Sequence, residues 1–556
     1  MNKKVCSFPI LFALLALLIG ICAVVFPASA QAAPTSTGSI TVSGTVASSY
    51  DAYQIFSANV VDGDSDARIA TDLAWASDAA RDAVLPVLHS AGMPNSQTTA
   101  QEAAEWLNAD SHLTSALSAQ LARSLQSSGV VFVALNAGTE AKLPCGYWLI
   151  VADDATIAQG EAGTAPIMAL VGGSAVTVKP KAATPKVAKH VLEDSTDAWQ
   201  KAADVTVADD LYWRLSATVP AGLTAYDTYT VRFVDTMSAG LDPSKVAASM
   251  RVYAAVGADG GFDTVQTGKD GRAGTDPAKG WTDITAQCAT KVAADGKTFT
   301  VRTGDLIAAL GGADAFTAGA RVVAVYNAPL NSACNHGIAK GNPNEVYLRY
   351  PRSPFADQSG DAGFTRTPSD DACAYTWDLA LTKRGSDGDK PLAGAVLSIA
   401  DDRGRTLAAD GTWDAEGKAT VTTGEDGRVT VSGVDSGKLE VRELKAPKGY
   451  TAFEGTRSVT VKAEGLDVDQ VAAAKPKLTI TAESPLRADS ADGSTGSLEA
   501  SLINTPTGTP PSITTGGFMP STGDMAMYAA AAAAVAGAAL LVVALLVKRG
   551  GGSHKE

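Results

Sequence analysis

Histidine is scarce in this 556-residue chain: the five residues, His89, His112, His190, His336 and His554, lie far apart. No two fall at a metal-ligand or catalytic spacing, which argues against a zinc hydrolase and a histidine-dependent triad, and neither metal nor cofactor is expected. A Gly-rich phosphate loop is also missing, which argues against a nucleotide enzyme. Basic residues are outnumbered, 45 Lys and Arg against 59 Asp and Glu for a net charge of −14, so the basic stripe that a nucleic-acid partner calls for is lacking. Aromatics supply only 6 % of the chain, whereas 53 Gly and 25 Pro make it turn-rich and lean it toward β domains.

The two ends point to a compartment. Lys3 and Lys4 precede an apolar run from Phe8 to Val25, and Pro27 leads into Ala28-Ser29-Ala30. That order of charge, apolar stretch and small residues predicts a secretory signal peptide over residues 1–30. Residues 526–547 carry no charge and as a helix would extend about 33 Å, enough to cross a bilayer. The tail at 548–556 opens with Lys548-Arg549, which keeps positive charge on the cytoplasmic side. The body is therefore expected outside the cell.

Immediately before the apolar span stands Met519-Pro520-Ser521-Thr522-Gly523. Pro520 favours an extended chain and Gly523 leaves the backbone unobstructed, as suits a peptide lying in an enzyme's groove. Pentapeptide, apolar span and basic tail together resemble the LPxTG sorting signal of Gram-positive surface proteins, with Met519 in place of Leu. The resemblance implies that a sortase cleaves between Thr522 and Gly523, passes the Thr522 carboxyl to an amine, and leaves the protein anchored to the cell-wall peptidoglycan.

Between the ends, some 490 residues suffice for three domains of common size. The first, 31–181, opens with alternating Ile40, Val42 and Val46 and then turns helical. Thr99 and Glu102 form a capping-box pattern, and Leu113, Leu117, Leu121 and Leu125 recur every four residues, a stripe better read as core than as a partner site. The domain closes with Val176-Thr177-Val178-Lys179-Pro180-Lys181 in a Pro-punctuated linker. On physics alone Lys181 is a solvated charge.

In the second domain, 182–356, Val187 to Val191, Thr228 to Asp235 and Glu345 to Tyr350 alternate as half-buried strands. The alternation turns Lys189 and Asp235 inward, and two buried formers of opposite charge need an explanation. The third domain, 373–506, repeats the pattern. Trp377, Leu379 and Leu381 lead to Lys383; Leu439 and Val441 lead to Glu443; Leu498, Ala500 and Leu502 lead to Asn504. Each polar residue is in phase with the apolar face of its strand.

Burial disfavours both charged forms, so a lysine and a carboxyl enclosed together can meet as amine and acid. A neutral amine is a nucleophile, and an acid donating to the Asn504 carbonyl would polarise it for attack, giving a Lys383–Asn504 amide with loss of ammonia and return of Glu443. Phasing alone is also met by a buried ion pair beside an asparagine, or by snorkelling side chains at strand ends.

Four segments carry a family resemblance. Val176 to Lys181 resembles the VxVxPK pilin motif of SpaA-type backbone pilins of Gram-positive sortase-assembled pili. The segment LEVRELKAPKGY at 439–450 is similar to the E-box of CnaB-type pilin domains, and INTP at 503–506 to their last strand. VDTMSAGL, containing Asp235, looks like the corresponding part of a CnaA-like domain. The resemblance implies tandem Ig-like β-sandwiches, mainly β, the first with inserted helices. It further implies a Lys383–Asn504 isopeptide bond with Glu443 as acid, and Lys181 as the amine that receives Thr522 of the next subunit. A second bond would use Lys189 and Asp235; where the family commonly places its asparagine this chain has Arg352, which leaves Asn344, also in phase, as the candidate.

The chain is thus expected to be the shaft pilin of a covalent surface fibre. Its implied partners are sortase, identical subunits, minor pilins, peptidoglycan and host-surface ligands, and its chemistry is limited to single-turnover bond formation. A wall-anchored monomeric adhesin or a minor pilin is the alternative, with residues 507–518 a linker in either case. Four cysteines follow the signal peptide, Cys145, Cys288, Cys334 and Cys373, and Cys288 with Cys334, inside one expected domain, are the favoured disulfide pair.

Overall fold

Strand periodicity dominates the computed structural model, which describes residues 36–64, 67–109, 111–180, 183–262 and 280–508. The expected signal peptide, Lys181, the sorting motif and the apolar span at 526–547 lie outside these residues. Among the described residues no helix is long and apolar enough to cross a membrane. The architecture is mainly β: three successive pairs of sheets, each pair enclosing its own core.

In the first pair, Thr37–Val42 lies between Ala141–Pro144 and Val176–Val178, pairing in parallel with the latter through Val42 and Val178. The facing sheet is built on the long strand Ser49–Asp62. Between Arg68–Trp75 and Val133–Asn136 the chain forms the helices Asp78–Ser90, Ala100–Asn108 and Ser115–Ser127. Thr99 and Glu102 close the expected capping box, each satisfying a backbone amide that the first helical turn leaves unpaired. The leucine stripe is core: Leu117, Leu121 and Leu125 are buried, while Leu113 precedes the Thr114 cap and packs alongside.

The second pair sets a six-stranded sheet, containing Lys186–Glu193, Tyr212–Val219 and Ala320–Asn327, against a seven-stranded one containing Arg232–Met237 and Asn342–Pro351. Large aromatics fill the space between, among them Trp213, Tyr229, Phe233, Phe299, Tyr326 and Tyr350. The strand expected from Thr228 begins at Arg232, because the Tyr229 and Val231 amides bond instead to the side chains of Asp305 and Thr303.

In the third pair the first strand, Trp377–Gly385, lies in parallel beside the last, Ser497–Pro506. The opposite sheet carries Val396–Ala400, Gly437–Lys445 and Thr456–Glu464. Trp377, Leu379 and Leu381 from one sheet meet Leu397, Ile399, Val441 and Val459 from the other.

The division at 356 and 373 expected from the sequence is displaced. Asp370–Tyr375 pairs with Asn342–Pro351 and with Ala202–Asp204, so it belongs to the second pair of sheets, whose chain runs on to Tyr375. The reason is visible in its pleat. Ala203, Ala372 and Ala374 face the second core, while Ala202, Cys373 and Tyr375 face the third, making these two strands a shared wall. Charge and backbone fasten the same joint. Asp209 accepts from Arg403 and Arg405, and Trp377 Nε1 donates to Asp204 Oδ2 at 2.6 Å. Gly337 and Gly496, both at positive φ, meet backbone to backbone, and a Cβ on Gly337 would stand 2.4 Å from the Gly496 nitrogen.

Candidate functional site

The strand pleat that carries Trp377, Leu379 and Leu381 into the third core carries Lys383 with them, and the pleat of the last strand does the same for Asn504. Lys383 is registered with Leu502, and Asn504 with Gly385, so the two side chains sit two residues apart on the same face of adjacent strands. Glu443 projects toward them from Gly437–Lys445 of the opposite sheet. Relative exposures of 1 %, 2 % and 6 % for Lys383, Asn504 and Glu443 place all three inside the core.

The contacts form a closed set. Lys383 Nζ donates to Asn504 Oδ1, and to the Leu502 carbonyl at 3.3 Å. Asn504 Nδ2 donates to both Glu443 oxygens, at 2.9 and 3.0 Å, and Lys383 Nζ lies 3.4 Å from Glu443 Oε1. The Phe453 amide fixes Glu443 Oε2 from behind at 3.1 Å. Burial pulls the Lys383 amine down to about 8 against the opposing pull of Glu443. Glu443 faces the amide nitrogen of Asn504, whereas an acid polarising the carbonyl was expected to face its oxygen.

A second constellation occupies the second core. Lys189, Asp235 and Asn344 are each 0 % exposed. Lys189 comes from one sheet, and Asp235 and Asn344 from neighbouring strands of the other. Lys189 Nζ is paired with Asp235 Oδ2 and donates to the Tyr326 hydroxyl at 2.9 Å. That hydroxyl donates to Asp235 Oδ2 at 3.1 Å and accepts from Asn344 Nδ2 at 2.8 Å. Tyr326 is thus the link that sequence reading missed; its only signal was that it shares a face with Val322 and Ala324 on its strand.

Burial again sets the protonation. It lowers Lys189 to about 8 despite the Asp235 charge, and raises Asp235 despite the lysine. Asp235 Oδ1 and Asn344 Oδ1 are buried without a hydrogen-bond partner, an arrangement costing on the order of 1–3 kcal/mol for each such group. Arg352 takes no part: it lies past the end of the strand and donates to the Asp154 carbonyl of the first domain at 3.3 Å.

The favoured disulfide is absent. Cys288 and Cys334 are both free thiols, as are Cys145 and Cys373. Cys288 Sγ turns back on its own short helix to the Ile284 carbonyl, and Cys334 Sγ turns to His336.

Lys383, Glu443 and Asn504 thus bring an amine, a carboxyl and a carboxamide into contact inside a β-sandwich. Residues 378–475, most of the third sandwich, match the family described as SpaA: Prealbumin-like fold domain. The chain is also similar to the trypsin-resistant surface T6 protein of Streptococcus pyogenes serotype M6, 30 % identical over 143 residues, 24 % of each chain. It thus spans about a quarter of the length of that curated relative. Among solved structures, the T6 backbone pilin of serotype M6 Streptococcus pyogenes is 17 % identical, with 85 % of this chain and 98 % of that one covered and a TM-score of 0.45. The full-length major pilin SpaD of Corynebacterium diphtheriae is 14 % identical over 85 % and 98 % of the two chains, with a TM-score of 0.41.

Proposed function

We propose that this chain is the shaft subunit of a covalently polymerised surface fibre, and that its second and third sandwiches are each closed by an internal Lys–Asn amide. The observation that carries this reading is the dry contact set of Lys383, Glu443 and Asn504 on the first, facing and last strands of the domain that matches the SpaA family.

The chemistry follows from the contacts. With Lys383 lowered to about 8, roughly one molecule in ten holds a neutral amine at pH 7. Its nitrogen lone pair attacks Asn504 Cγ, the Cγ–Nδ2 bond breaks, and a proton relayed through Glu443 leaves with Nδ2 as ammonia. Glu443 ends as it began. No second substrate is needed, because the fold supplies the proximity. In the second sandwich Lys189 and Asn344 are the partners, Asp235 the acid, and Tyr326 the relay between them.

Each amide closes a loop of well over a hundred residues, contributing on the order of 5 kcal/mol by chain entropy. The mechanical effect is larger. Pull applied at the first and last strands of the third sandwich passes through the Lys383–Asn504 bond instead of unzipping the parallel pair. A sortase would extend this covalent path by joining Thr522 of one subunit to Lys181 of the next, three positions after the last residue of the closing strand of the first sandwich. The last subunit would be attached to peptidoglycan, with minor pilins and host ligands as further partners.

Replacing Lys181 by Ala in the producing cell tests the polymer. A shaft subunit loses its SDS-resistant high-mass ladder while the monomer is still secreted. A monomeric wall-anchored adhesin or minor pilin would reach the wall unchanged, and that result would overturn the shaft assignment.

A further inference from the structure

The four thiols differ sharply in their surroundings. Cys145 and Cys373 are buried, and burial pushes Cys373 up to about 11. Enclosure pushes Cys288 equally high, and its Sγ is engaged with the Ile284 carbonyl. Cys334 is partly exposed and has an imidazole beside it: its Sγ lies 3.5 Å from His336 Nε2. Across the ring, His336 Nδ1 stands 2.7 Å from Asp378 Oδ1.

This thiol, imidazole and carboxylate are assembled from two domains, Cys334 and His336 from a loop of the second and Asp378 from the first strand of the third. The scarcity and spread of histidine gave no hint of it. The loop is held firmly on both sides. Buried Asn342 accepts from the Asn335 amide and donates to the Asn335 carbonyl, both at 2.8 Å. The Gly337 amide donates to Thr376 at 3.0 Å, and Gly240 leaves room for Cys334, since a Cβ there would stand 2.6 Å from its Cα. Asp378 is fixed by the Gly433 amide at 3.1 Å.

The Asp378 carboxylate against the ring, with a contribution from Cys334, raises His336 to about 10, so its ring carries a proton at neutral pH. The ring thus stands between the Asp378 carboxylate, 2.7 Å from Nδ1, and the Cys334 sulfur, 3.5 Å from Nε2, and sets its positive charge beside the atom that would react.

We propose that Cys334 is a reactive surface thiol that takes up small disulfides by exchange, with His336 touching the reacting sulfur and Asp378 positioning the ring. Cys334 sulfur attacks one sulfur of the disulfide as its proton passes to solvent. A new S–S bond forms, the old one breaks, and the departing half leaves with the electron pair and takes a proton from water. The products are a mixed disulfide on Cys334 and one free small thiol, with no external oxidant. The adduct would sit at the joint between the second and third sandwiches.

Cystine is the probe. The protein as secreted by the producing cell is incubated with it at neutral pH, and each cysteine's adduct is followed by peptide mass. Cys334 is expected to be labelled at least ~10-fold faster than Cys288, and His336→Asn to remove at least ~10-fold of that rate while leaving Cys288 unchanged. Asp378→Asn should slow Cys334 and bring the His336 titration, followed by NMR, down toward the ordinary histidine value; Asp378→Glu should restore part of both. Equal rates at Cys334 and Cys288 in the unmutated protein would overturn the proposal whatever the variants do, as would an unchanged Cys334 rate in a folded His336→Asn protein.

Discussion

The second and third sandwiches each enclose an amine, a carboxyl and a carboxamide, in different geometries. In the third, Lys383 and Asn504 stand on adjacent parallel strands of one sheet, and the carboxyl arrives from the other sheet. In the second, Lys189 stands on one sheet while Asp235 and Asn344 share the other. A bond in the third would therefore lock two strands edge to edge, whereas a bond in the second would staple two sheets face to face. The amide environments differ too: Asn504 donates directly to its carboxyl, while Asn344 reaches Asp235 only through the Tyr326 hydroxyl. A direct acid and a relayed one should differ in their tolerance of substitution.

The largest expected effect is on stability. Glu443→Ala should leave Lys383 and Asn504 unlinked and lower the melting temperature of the third sandwich by at least ~10 °C, read by calorimetry. Asp235→Ala should do the same in the second sandwich and leave the third unaffected, so two separable transitions would sharpen the contrast. If either variant retained its bond, the acid role assigned to that residue would be wrong. Tyr326→Phe should slow bond formation in the second sandwich without abolishing it, seen as a mixture of linked and unlinked forms by mass spectrometry, because the acid remains and only the relay is lost.

A pH experiment separates the bonded from the unbonded state. In Asn504→Ala the Lys383 amine stays free, with its folded value lowered to about 8 from 10.5. Between those values the unfolded chain binds more protons, so stability rises with pH across the window and is lost as pH falls through it, by at most about 3 kcal/mol. In the linked protein Lys383 has no amine to titrate, and denaturant unfolding should lack this rise. The smallest effect lies in the first sandwich: Thr99→Ala removes the capping box and should cost about 1 kcal/mol, measured by urea unfolding.

Much of the third site was legible because strands have a period of two. Once Leu379 and Leu381 are assigned inward, Lys383 must follow, and the same holds for Glu443 after Val441 and Asn504 after Leu502. Lys189 and Asp235 were found by the same rule. Long-range arrangement was not legible. Tyr326 reads as an ordinary core aromatic, since nothing local marks its hydroxyl as the meeting point of three polar groups. Asp370–Tyr375 alternates toward two cores at once, so its sequence does not say which sheet it joins. Cys288 and Cys334 are in one domain yet face different neighbours, a fact of tertiary contact. The direction of the Asn504 amide is likewise set by Glu443 and Lys383 together, the nitrogen turned to the carboxyl and the oxygen to the amine.

Intact mass of the protein spanning residues 36–508, with thiols blocked, tests the central claim most directly. Each internal amide releases one ammonia, about 17 Da, so two bonds give a deficit near 34 Da, with 383 and 504 recovered in one cross-linked tryptic product. A mass equal to the plain sequence, with those two residues in separate peptides, would contradict the account.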